Sequence, residues 1–329
     1  MVRARFAPSP TGSLHLGNAL SAAAARRIAD WLLLRIDDTD PARNVPGGED
    51  AILRDLEWLA IEWDAGPVRQ SERASRYRDV REELGDVFAG IRIFREDASA
   101  TYHVASVVDD IDFGITHVVR GNDHRPNEQL HRRLFEALGA TPPEFVHHGL
   151  ILGPDGEKLA KRAYGATVAS LRESGIPAEA VRGYLDELGL PRHDVHLDLS
   201  RIRRLAVEAI ERMGDEELAA RAGAPLSAVP VMRGARDLEE AREYAELVLS
   251  PPRAGKSRSP ETLERFRELL ARADGAVDAR ALVRELKAVG GDLKALRLAL
   301  TGRDRGPELW AIVAALPREE ALRRIEAAL

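Results

Sequence analysis

The chain contains no cysteine, which excludes disulfide bridges, thiolate nucleophiles and cysteine-bound zinc. It has no apolar run long enough to span a membrane, and its N-terminal stretch MVRARFAPSP lacks the apolar segment of a secretory signal. We therefore expect a cytoplasmic protein that makes no membrane contact. The formal net charge of −6 gives no overall attraction to nucleic acid, so an RNA partner would need a local basic face, and we expect no DNA partner.

Lysine is scarce, since only five of the 48 basic residues are lysines. Two of those five, Lys158 and Lys161, lie in the single pentapeptide KLAKR. A genome rich in G and C, or heat tolerance, accounts for many arginines. Neither accounts for the clustering of the lysines.

Length and periodicity indicate several domains. The 329 residues, 44% of them hydrophobic, are enough for two or three packed cores. Up to residue 163, short apolar strands such as RARFAPS and LLLRIDD alternate with helical segments, which predicts a Rossmann-type parallel α/β sheet. Helical patterns dominate afterwards, with one Pro- and Gly-containing segment at 250–260. We predict domains at 1–163, 164–250 and 251–329, the last two all-helical.

Three local signals refine this prediction. Ser71 precedes the helical pattern SERASRYRDVREELGDVF and is expected to be its N-cap. Gly139 is expected to end the amphipathic helix NEQLHRRLFEALGA. The segment EFVHHGLIL is expected to form the last strand.

The turn SPTGSLHLGN lies between the first predicted strand and the first helix. A helix N-terminus offers backbone N–H groups and a positive dipole end to a phosphate, and Gly12 and Gly17 permit close approach. Next to Asn18, His15 can donate to a phosphate oxygen as charge develops. The alternative is that His15 is an incidental exposed loop histidine.

The loop GPDGEKLAKR follows the last predicted strand of the α/β half. Lys158 and Lys161 can neutralise a triphosphate there. Taken alone, a K-x-x-K pair is more often a solvated surface pair. Together, the two loops are expected to flank one crevice of a parallel sheet.

The H-L-G-N and K-L-A-K-R elements resemble the two signature motifs of class I aminoacyl-tRNA synthetases. The blocks RFAPSPTGSLHLGN, RIDDTDPAR, GPVRQSER, TYHVASVVDD, GITHVVRGNDH and LILGPDGEKLAKR resemble, in order, those of glutamyl-tRNA synthetases. The tail beginning LRLALTGRDRGPEL is similar to the C-terminus of that family, so the resemblance covers most of the chain. It implies that residues 164–250 are a stem-contact-like domain and 251–329 a reduced anticodon-binding-like domain.

The resemblance also implies site residues. Those matching the glutamate-binding positions of the family are Arg5, Ala7, Ser9, Asp37, Tyr102 and Arg120. Those placed around ATP are Gly12, His15, Gly17, Asn18, Lys158 and Lys161, of which His15 and the two lysines are the catalytic ones. Arginines suit the two carboxylates of glutamate because the guanidinium pairs bidentately with planar oxyanions. The family usually has glutamate at position 37, where it meets the substrate ammonium, so the contact here is one methylene shorter.

The implied reaction activates glutamate with ATP as glutamyl-adenylate and transfers it to the 3′ end of tRNA. No side-chain nucleophile is needed, and Mg²⁺ accompanies the nucleotide. Asp109 and Asp110 of VVDD look like a metal pair, but a structural or substrate-positioning role is weighted at least equally, and no protein-held metal is predicted. The expected partners are tRNA and glutamate, and the expected state is a monomer.

The sequence departs from the family in three ways. Most of the acceptor-end-binding insertion between VRQSERASRYRDV and ATYHVAS is missing, the helical C-terminal region is short, and Ala160 replaces a serine of the lysine loop. These departures leave the acceptor and the reading of the anticodon open. The alternatives are a ligase that uses a non-tRNA acceptor, an enzyme like glutamyl-queuosine tRNA synthetase, and a non-catalytic tRNA-binding paralogue. The absence of cysteine argues against the second of these, and the retained ATP motifs argue against the third.

Overall fold

The computed structural model describes residues 1–157, 159, 166–251, 255–272 and 278–329. The chain divides into two compact units, the first formed by Met1–Glu173 with Val181–Leu199 and the second by Ser174–Ala180 with Ser200–Leu329. The three-domain division with boundaries at 163/164 and 250/251 stays a prediction.

Strands belong to the first unit. They are β1 (Arg3–Phe6), β2 (Trp31–Ile36), β3 (Ala65–Arg69), β4 (Val87–Phe88), β5 (Ile91–Arg92), β6 (His117–Gly121), β7 (Glu144–His148), β8 (Ile151–Leu152) and β9 (Val195–His196). Five of them form a parallel sheet of order β3-β2-β1-β6-β7, as predicted for a Rossmann-type fold. The antiparallel hairpin β4-β5 and the parallel pair β8-β9 lie outside that sheet.

Helices connect the strands and make up most of the second unit. They are α1 (Leu16–Ile28), α2 (Gly48–Trp58), α3 (Ala74–Leu84), α4 (Tyr102–Asp112), α5 (Glu128–Ala137), α6 (Val168–Glu173), α7 (Ala178–Leu188), α8 (Leu199–Arg212), α9 (Asp215–Ala222), α10 (Val229–Met232), α11 (Leu238–Leu249), α12 (Pro260–Arg272), α13 (Ala279–Ala288), α14 (Leu293–Thr301), α15 (Leu309–Ala315) and α16 (Arg318–Ala328). Within the described residues, no helix combines the length and apolarity needed to cross a membrane.

Strand β1 occupies the centre of the sheet, and its Arg3 and Arg5 alternate with the apolar Ala4 and Phe6. Ala4 is fully buried and pairs with Leu32 of β2 on one side and with His117 of β6 on the other. The alanines of α1 pack closely against this strand. The chain leaves β1 toward β2 and later returns to its other side as β6, so the β1/β6 boundary is a topological switch point. Ligands of such sheets bind beyond the carboxyl ends of the strands there.

Two of the local predictions were wrong in detail. Ser71 is not an N-cap, because it lies in a short 3₁₀ helix, Gln70–Arg73, and its backbone N–H and hydroxyl donate to Asp38 instead. The segment EFVHHGLIL forms two strands, β7 and β8, and β9 follows it. Gly139 follows the end of α5 with a positive φ of 67°, as predicted.

The second unit is a helical assembly around one apolar core that includes Met232, Phe266 and Ile312. Aspartates cap three of its helices: the carboxylates of Asp237, Asp278 and Asp292 accept backbone N–H groups in the first turns of α11, α13 and α14. Such caps are the sequence signal of a helix start. The prediction of a helical region after residue 163 is confirmed for the described residues, except that Val195–His196 forms the two-residue strand β9 within the range predicted to be all-helical.

Candidate active site

A cavity of about 540 Å³ lies beyond the carboxyl ends of the central strands of the first unit. Nine of the predicted site residues line it: Arg5, Ala7, Ser9, His15, Gly17, Asn18, Asp37, Tyr102 and Arg120. Gly12 is not among the lining residues, although its φ of 101° belongs to the turn that leads to them. Lys158 and Lys161 lie outside the described residues, so their position relative to the cavity stays a prediction.

The turn between β1 and α1 is held by backbone hydrogen bonds from the segment that follows β2. Asp37 donates its backbone N–H to the carbonyl of Pro8, and Val45 donates its own to the carbonyl of Pro10. Gly48 packs against the same turn so closely that a Cβ at this position would lie 2.3 Å from the Pro10 carbonyl oxygen. The prolines therefore shape a rigid approach to the helix N-terminus.

His15 is the N-cap of α1. Its Nδ1 accepts the backbone N–H of Asn18 at 3.1 Å, which satisfies one of the otherwise unpaired donors of the first turn. Because Nδ1 is an acceptor, the neutral ring carries its proton on Nε2. The imidazole can therefore cap the helix with one nitrogen and act as a hydrogen-bond donor with the other.

Arg120 at the end of β6 is 5% exposed and stacks over the Phe145 ring at 4.7 Å. Its Nε donates to His147 Nε2 at 3.2 Å, and its Nη1 lies 3.4 Å from His131 Nδ1. Nη2 is buried and has no hydrogen-bond partner among the described residues. Burial lowers the pKa of Arg120 from its usual very high value, an effect that Tyr102 partly opposes. A buried guanidinium with an unsatisfied N–H group is prepared to receive an anion.

The histidines around Arg120 are neutral. Burial, with Arg120 as the next cause, lowers the pKa of His131 to about 2 and that of His147 to about 4. The pKa of His103 is lowered by the same two causes, and its Nδ1 lies 3.1 Å from His131 Nε2. Tyr102 closes the group, with its hydroxyl 3.3 Å from His124 Nδ1. The rings thus support the guanidinium as acceptors without adding positive charge.

Asp37 is held by a residue that sequence reasoning missed. Arg35 of β2 donates from Nε to Asp37 Oδ1 at 2.7 Å and from Nη2 to Asp37 Oδ2 at 3.2 Å. Burial raises the pKa of Asp37, and the Arg35 charge opposes that rise. A charged residue inside the apolar strand WLLLRI was the available signal, because a buried arginine needs partners.

Asp109 and Asp110 accept from different groups. Tyr77 donates to both oxygens of Asp109 at 3.0 Å, and Arg73 Nε donates to Asp109 Oδ1 at 2.7 Å. Asp110 faces Arg5 and Arg35. In the part of the chain that the structure describes, no group of three His, Asp or Glu residues is placed to hold a metal ion.

The second unit has its own cavity of about 820 Å³. Acidic and basic side chains both line it, and the basic ones are Lys256, Arg258, Lys294, Arg303 and Arg305. Lys294 pairs with Asp304 at 2.9 Å. Lys256 and Arg258 are exposed, which makes them available to a polyanion.

A parallel sheet with a site at its switch point and a helical second unit are the features of a class I synthetase. The profile of the family described as tRNA synthetases class I (E and Q), catalytic domain, matches residues 1–87 and 88–207, and an anticodon binding domain profile matches residues 234–329. The chain therefore belongs to the class I tRNA synthetases of the E and Q family.

Within this family the chain groups with the glutamate–tRNA ligases. It is 36% identical to glutamate–tRNA ligase 1 of Rubrobacter xylanophilus, with 99% of this chain and 97% of the relative covered. It is 31% identical to the glutamate–tRNA ligase of Akkermansia muciniphila, with 99% and 98% covered. The crystal structure of a glutamate tRNA ligase from Elizabethkingia meningosepticum shares the fold, with a TM-score of 0.74, 24% identity and 99% coverage of each chain.

The shortening predicted from the sequence is confirmed. The alignment with the Rubrobacter relative spans 427 positions, whereas this chain has 329 residues, so the relative carries residues without a counterpart here. The catalytic-domain match is divided between residues 87 and 88. That point lies within β4, where this chain makes only the hairpin β4-β5.

Proposed function

We propose that this protein activates glutamate with ATP and transfers the glutamyl group to the 3′ end of tRNA. The observation that carries the proposal is the buried Arg120, whose Nη2 has no hydrogen-bond partner among the described residues, at the wall of a cavity that Asp37 also lines. A cation and a carboxylate on one cavity wall suit an amino acid with an acidic side chain. The names of the relatives support the same substrate.

Residue roles follow from charge. Arg5 and Arg120 bind the carboxylates of glutamate, Asp37 binds its ammonium, and Tyr102, Ala7 and Ser9 shape the pocket around it. His15 donates to the ATP phosphates at the N-terminus of α1, where Gly12, Gly17 and Asn18 leave the backbone accessible. Lys158 and Lys161, in the loop after β8, neutralise the triphosphate.

The chemistry needs no protein nucleophile. An oxygen of the substrate α-carboxylate attacks the α-phosphorus of ATP, and the bond to pyrophosphate breaks. A ribose hydroxyl of the tRNA end then attacks the carbonyl of the adenylate, and AMP leaves. The protein contributes positioning and charge neutralisation.

The described residues contain no group of three His, Asp or Glu placed to hold a metal ion, and Asp109 and Asp110 are engaged by arginines. We infer that Mg²⁺ arrives with the ATP phosphates, and no step is assigned to a protein–metal contact. The cytoplasmic location and the monomeric state stay predictions.

One observation favours a second candidate function, that of a ligase with a non-tRNA acceptor. The family match is divided between residues 87 and 88, in the region where the resemblance places a missing acceptor-end-binding insertion, and the loss of that insertion would favour a ligase with a small-molecule or carrier acceptor. The anticodon-domain match at residues 234–329 favours tRNA, and we give it more weight because a non-tRNA ligase has no use for that domain.

The experiment is amino-acid-dependent ATP–pyrophosphate exchange with all twenty amino acids, with and without total tRNA, alongside Arg120→Met and Arg125→Ala. We expect ATP–pyrophosphate exchange with glutamate. In Arg120→Met we expect the exchange rate to fall at least about a hundredfold, because the buried ion pair between Arg120 and a carboxylate of the substrate is removed, and in Arg125→Ala we expect little change. Arg125 is the matched control because it is exposed and outside the cavity wall. No exchange with any amino acid under either condition would contradict the proposal.

A further inference from the structure

Arg35 lies near the carboxyl end of β2, the strand beside the central β1, and its side chain is fully buried. It does not line the cavity, so it does not contact a ligand there. A buried guanidinium is costly unless its N–H groups are paired, and the identity of its partners therefore reveals what it holds in place.

Arg35 donates hydrogen bonds to three side chains and forms an ion pair with a fourth, Asp109, whose Oδ2 lies 3.6 Å from Nε. Nε and Nη2 donate to the two oxygens of Asp37, as a two-pronged fork. Nη1 donates to Asp110 Oδ1 at 2.8 Å, and Nη2 donates also to Ser106 Oγ at 3.1 Å. The planar geometry of guanidinium fixes the angle between these partners, which a lysine ammonium cannot do.

Asp110 extends the network to a second cavity residue. Both of its oxygens lie 3.3 Å from Arg5 Nε. The resulting series Asp37, Arg35, Asp110, Arg5 alternates in charge, and every side chain in it is at most 7% exposed. The two end residues line the cavity and the two middle residues do not.

We propose that Arg35 is a positioning residue that fixes the spacing between the Asp37 carboxylate and the Arg5 guanidinium, so that the cavity selects ligands carrying an ammonium and a carboxylate together. The inference deepens the proposed function and rests on its assignment of Asp37 and Arg5 to the amino acid. It also explains how a side chain as short as aspartate can serve at position 37, because its carboxylate is held in one orientation rather than sampling several.

The charge of Arg35 also favours the ionised form of Asp37. Burial raises the pKa of Asp37, and Arg35 keeps the carboxyl closer to its ionised form. A neutral carboxyl could not pair with an ammonium group. Arg35 thus supports both the orientation and the charge of Asp37.

The test uses two ligands that differ only at the group in question. L-glutamate and L-2-hydroxyglutarate share the carbon skeleton and both carboxylates, but the second carries a hydroxyl in place of the ammonium. Dissociation constants of both are measured by titration calorimetry for the wild type and for Arg35→Lys. This substitution keeps the charge and loses the fork, so a change in the ratio of the two constants reports orientation rather than net charge.

We expect glutamate to bind about tenfold more weakly to Arg35→Lys, and hydroxyglutarate to change by no more than about twofold, because Arg5 keeps its direct contact with Asp110 and a hydroxyl forms no ion pair with Asp37 that could be lost. Ser106→Ala removes one Arg35 contact, keeps every charge and is a milder change to the core. It should shift the ratio in the same direction by about threefold. This second variant keeps the inference testable if Arg35→Lys fails to fold.

The matched control is Tyr184→Phe. Tyr184 is 3% exposed, its hydroxyl accepts the backbone N–H of Asp198, and it neither contacts the Arg35 network nor lines the cavity. Its loss should lower the melting temperature and leave the ratio unchanged. A general structural disturbance would weaken both ligands equally in all three variants.

The inference is overturned if the ratio is unchanged in both Arg35→Lys and Ser106→Ala, if both ligands weaken together, or if the wild type does not prefer glutamate. Exchange activity is measured on the same samples and reports the proposed function separately. A wild type that prefers glutamate and loses that preference in Arg35→Lys, yet shows no exchange, would contradict the proposed function and leave the inference standing.

Discussion

Arg120 and its neighbours illustrate how burial prepares a single residue for an anion. The guanidinium remains charged because arginine is so strong a base, whereas the same burial keeps His131 and His147 neutral. Because the intrinsic pKa of arginine is far above that of histidine, the same burial leaves a charged arginine to bind the anion and neutral histidines to support it.

This arrangement makes stability depend on pH. The pKa of His131 is about 2 in the folded protein and about 6.5 in the unfolded chain. Below pH 6.5 the unfolded state therefore binds a proton at His131 that the folded state does not bind. The contribution of His131 to the free energy of unfolding is fully present above pH 6.5 and is lost as the pH falls below it. Between pH 7 and pH 5 we expect His131 to contribute a loss of about 2 kcal/mol. The free energy of urea unfolding at the two pH values measures it.

The control for that measurement is His131→Gln, which keeps polar atoms at the site and does not titrate. The wild type should lose more stability between pH 7 and pH 5 than the variant. Equal losses in the two proteins would show that His131 is protonated in the folded state.

Sequence reasoning found residues that line the cavity and missed those that hold them in place. Arg5, Asp37, Tyr102 and Arg120 are recognisable because they match a motif. Arg35 could be suspected from its apolar strand, but its partners Ser106 and Asp110 come from another helix. Only the packing of α4 against the sheet brings them together.

Among the elements, helix α1 connects folding with chemistry, because its N-cap, His15, is also the predicted hydrogen-bond donor to the ATP phosphates. The LLLRIDD strand and the alanine-rich helix were predictable from periodicity and composition. The histidine cap was not, since histidine is not among the preferred N-cap residues. Ser71 was misassigned for the converse reason: a good capping residue can donate elsewhere, here to Asp38.

The two roles of His15 can be separated by substitution. His15→Ala removes both the cap and the imidazole and should cost about 1 kcal/mol of stability as well as activity. His15→Asn restores a strong cap without the imidazole, so it should keep near wild-type stability but lose at least about a hundredfold in exchange rate. Thermal unfolding and ATP–pyrophosphate exchange on both variants measure the two effects. Full exchange activity in His15→Asn would show that His15 serves only as a cap.

The start of α2 supports the β1-α1 turn through Gly48. A Cβ there would lie 2.3 Å from the Pro10 carbonyl oxygen, a backbone atom that cannot turn aside. We expect Gly48→Ala to cost about 2 kcal/mol in free energy of unfolding and to raise the KM for ATP.

Gly47 provides the comparison for this prediction. Its φ is 70°, but nothing lies within 4 Å of an added Cβ, and asparagine tolerates the left-handed conformation. Gly47→Asn should therefore be nearly neutral in chemical denaturation. If Gly48→Ala were equally neutral, the turn would be less rigid than its contacts indicate.

At the scale of the whole molecule, the chain carries the class I catalytic match and the anticodon-domain match. The net charge of −6 gives no overall attraction to RNA, and the catalytic match is divided at residues 87 and 88, where the chain makes the hairpin β4-β5. Composition could reveal the first fact and motif spacing the second. Neither could reveal the cavity of the second unit, because only helix packing places lining residues such as Lys256 and Arg303 around the same cavity.

That cavity should contribute to tRNA binding. Lys256→Ala combined with Arg258→Ala should weaken tRNA binding and reduce the slope of log affinity against log salt by about one to two, as expected for the loss of one or two phosphate contacts. Fluorescence anisotropy with labelled tRNA at several salt concentrations measures the slope. Arg212→Ala is the control, since Arg212 has an 80% exposed side chain and does not line the cavity. An unchanged slope in the double variant would place the RNA elsewhere.

The most direct test of the whole account is aminoacylation of total tRNA by the intact protein with radiolabelled glutamate, compared with radiolabelled glutamine and with Arg120→Met. The account predicts labelled tRNA with glutamate alone, release of the label under mild base as expected for an ester, and no label with Arg120→Met. Exchange with glutamate but no labelled tRNA would contradict it, because the activated glutamate would then be destined for a different acceptor.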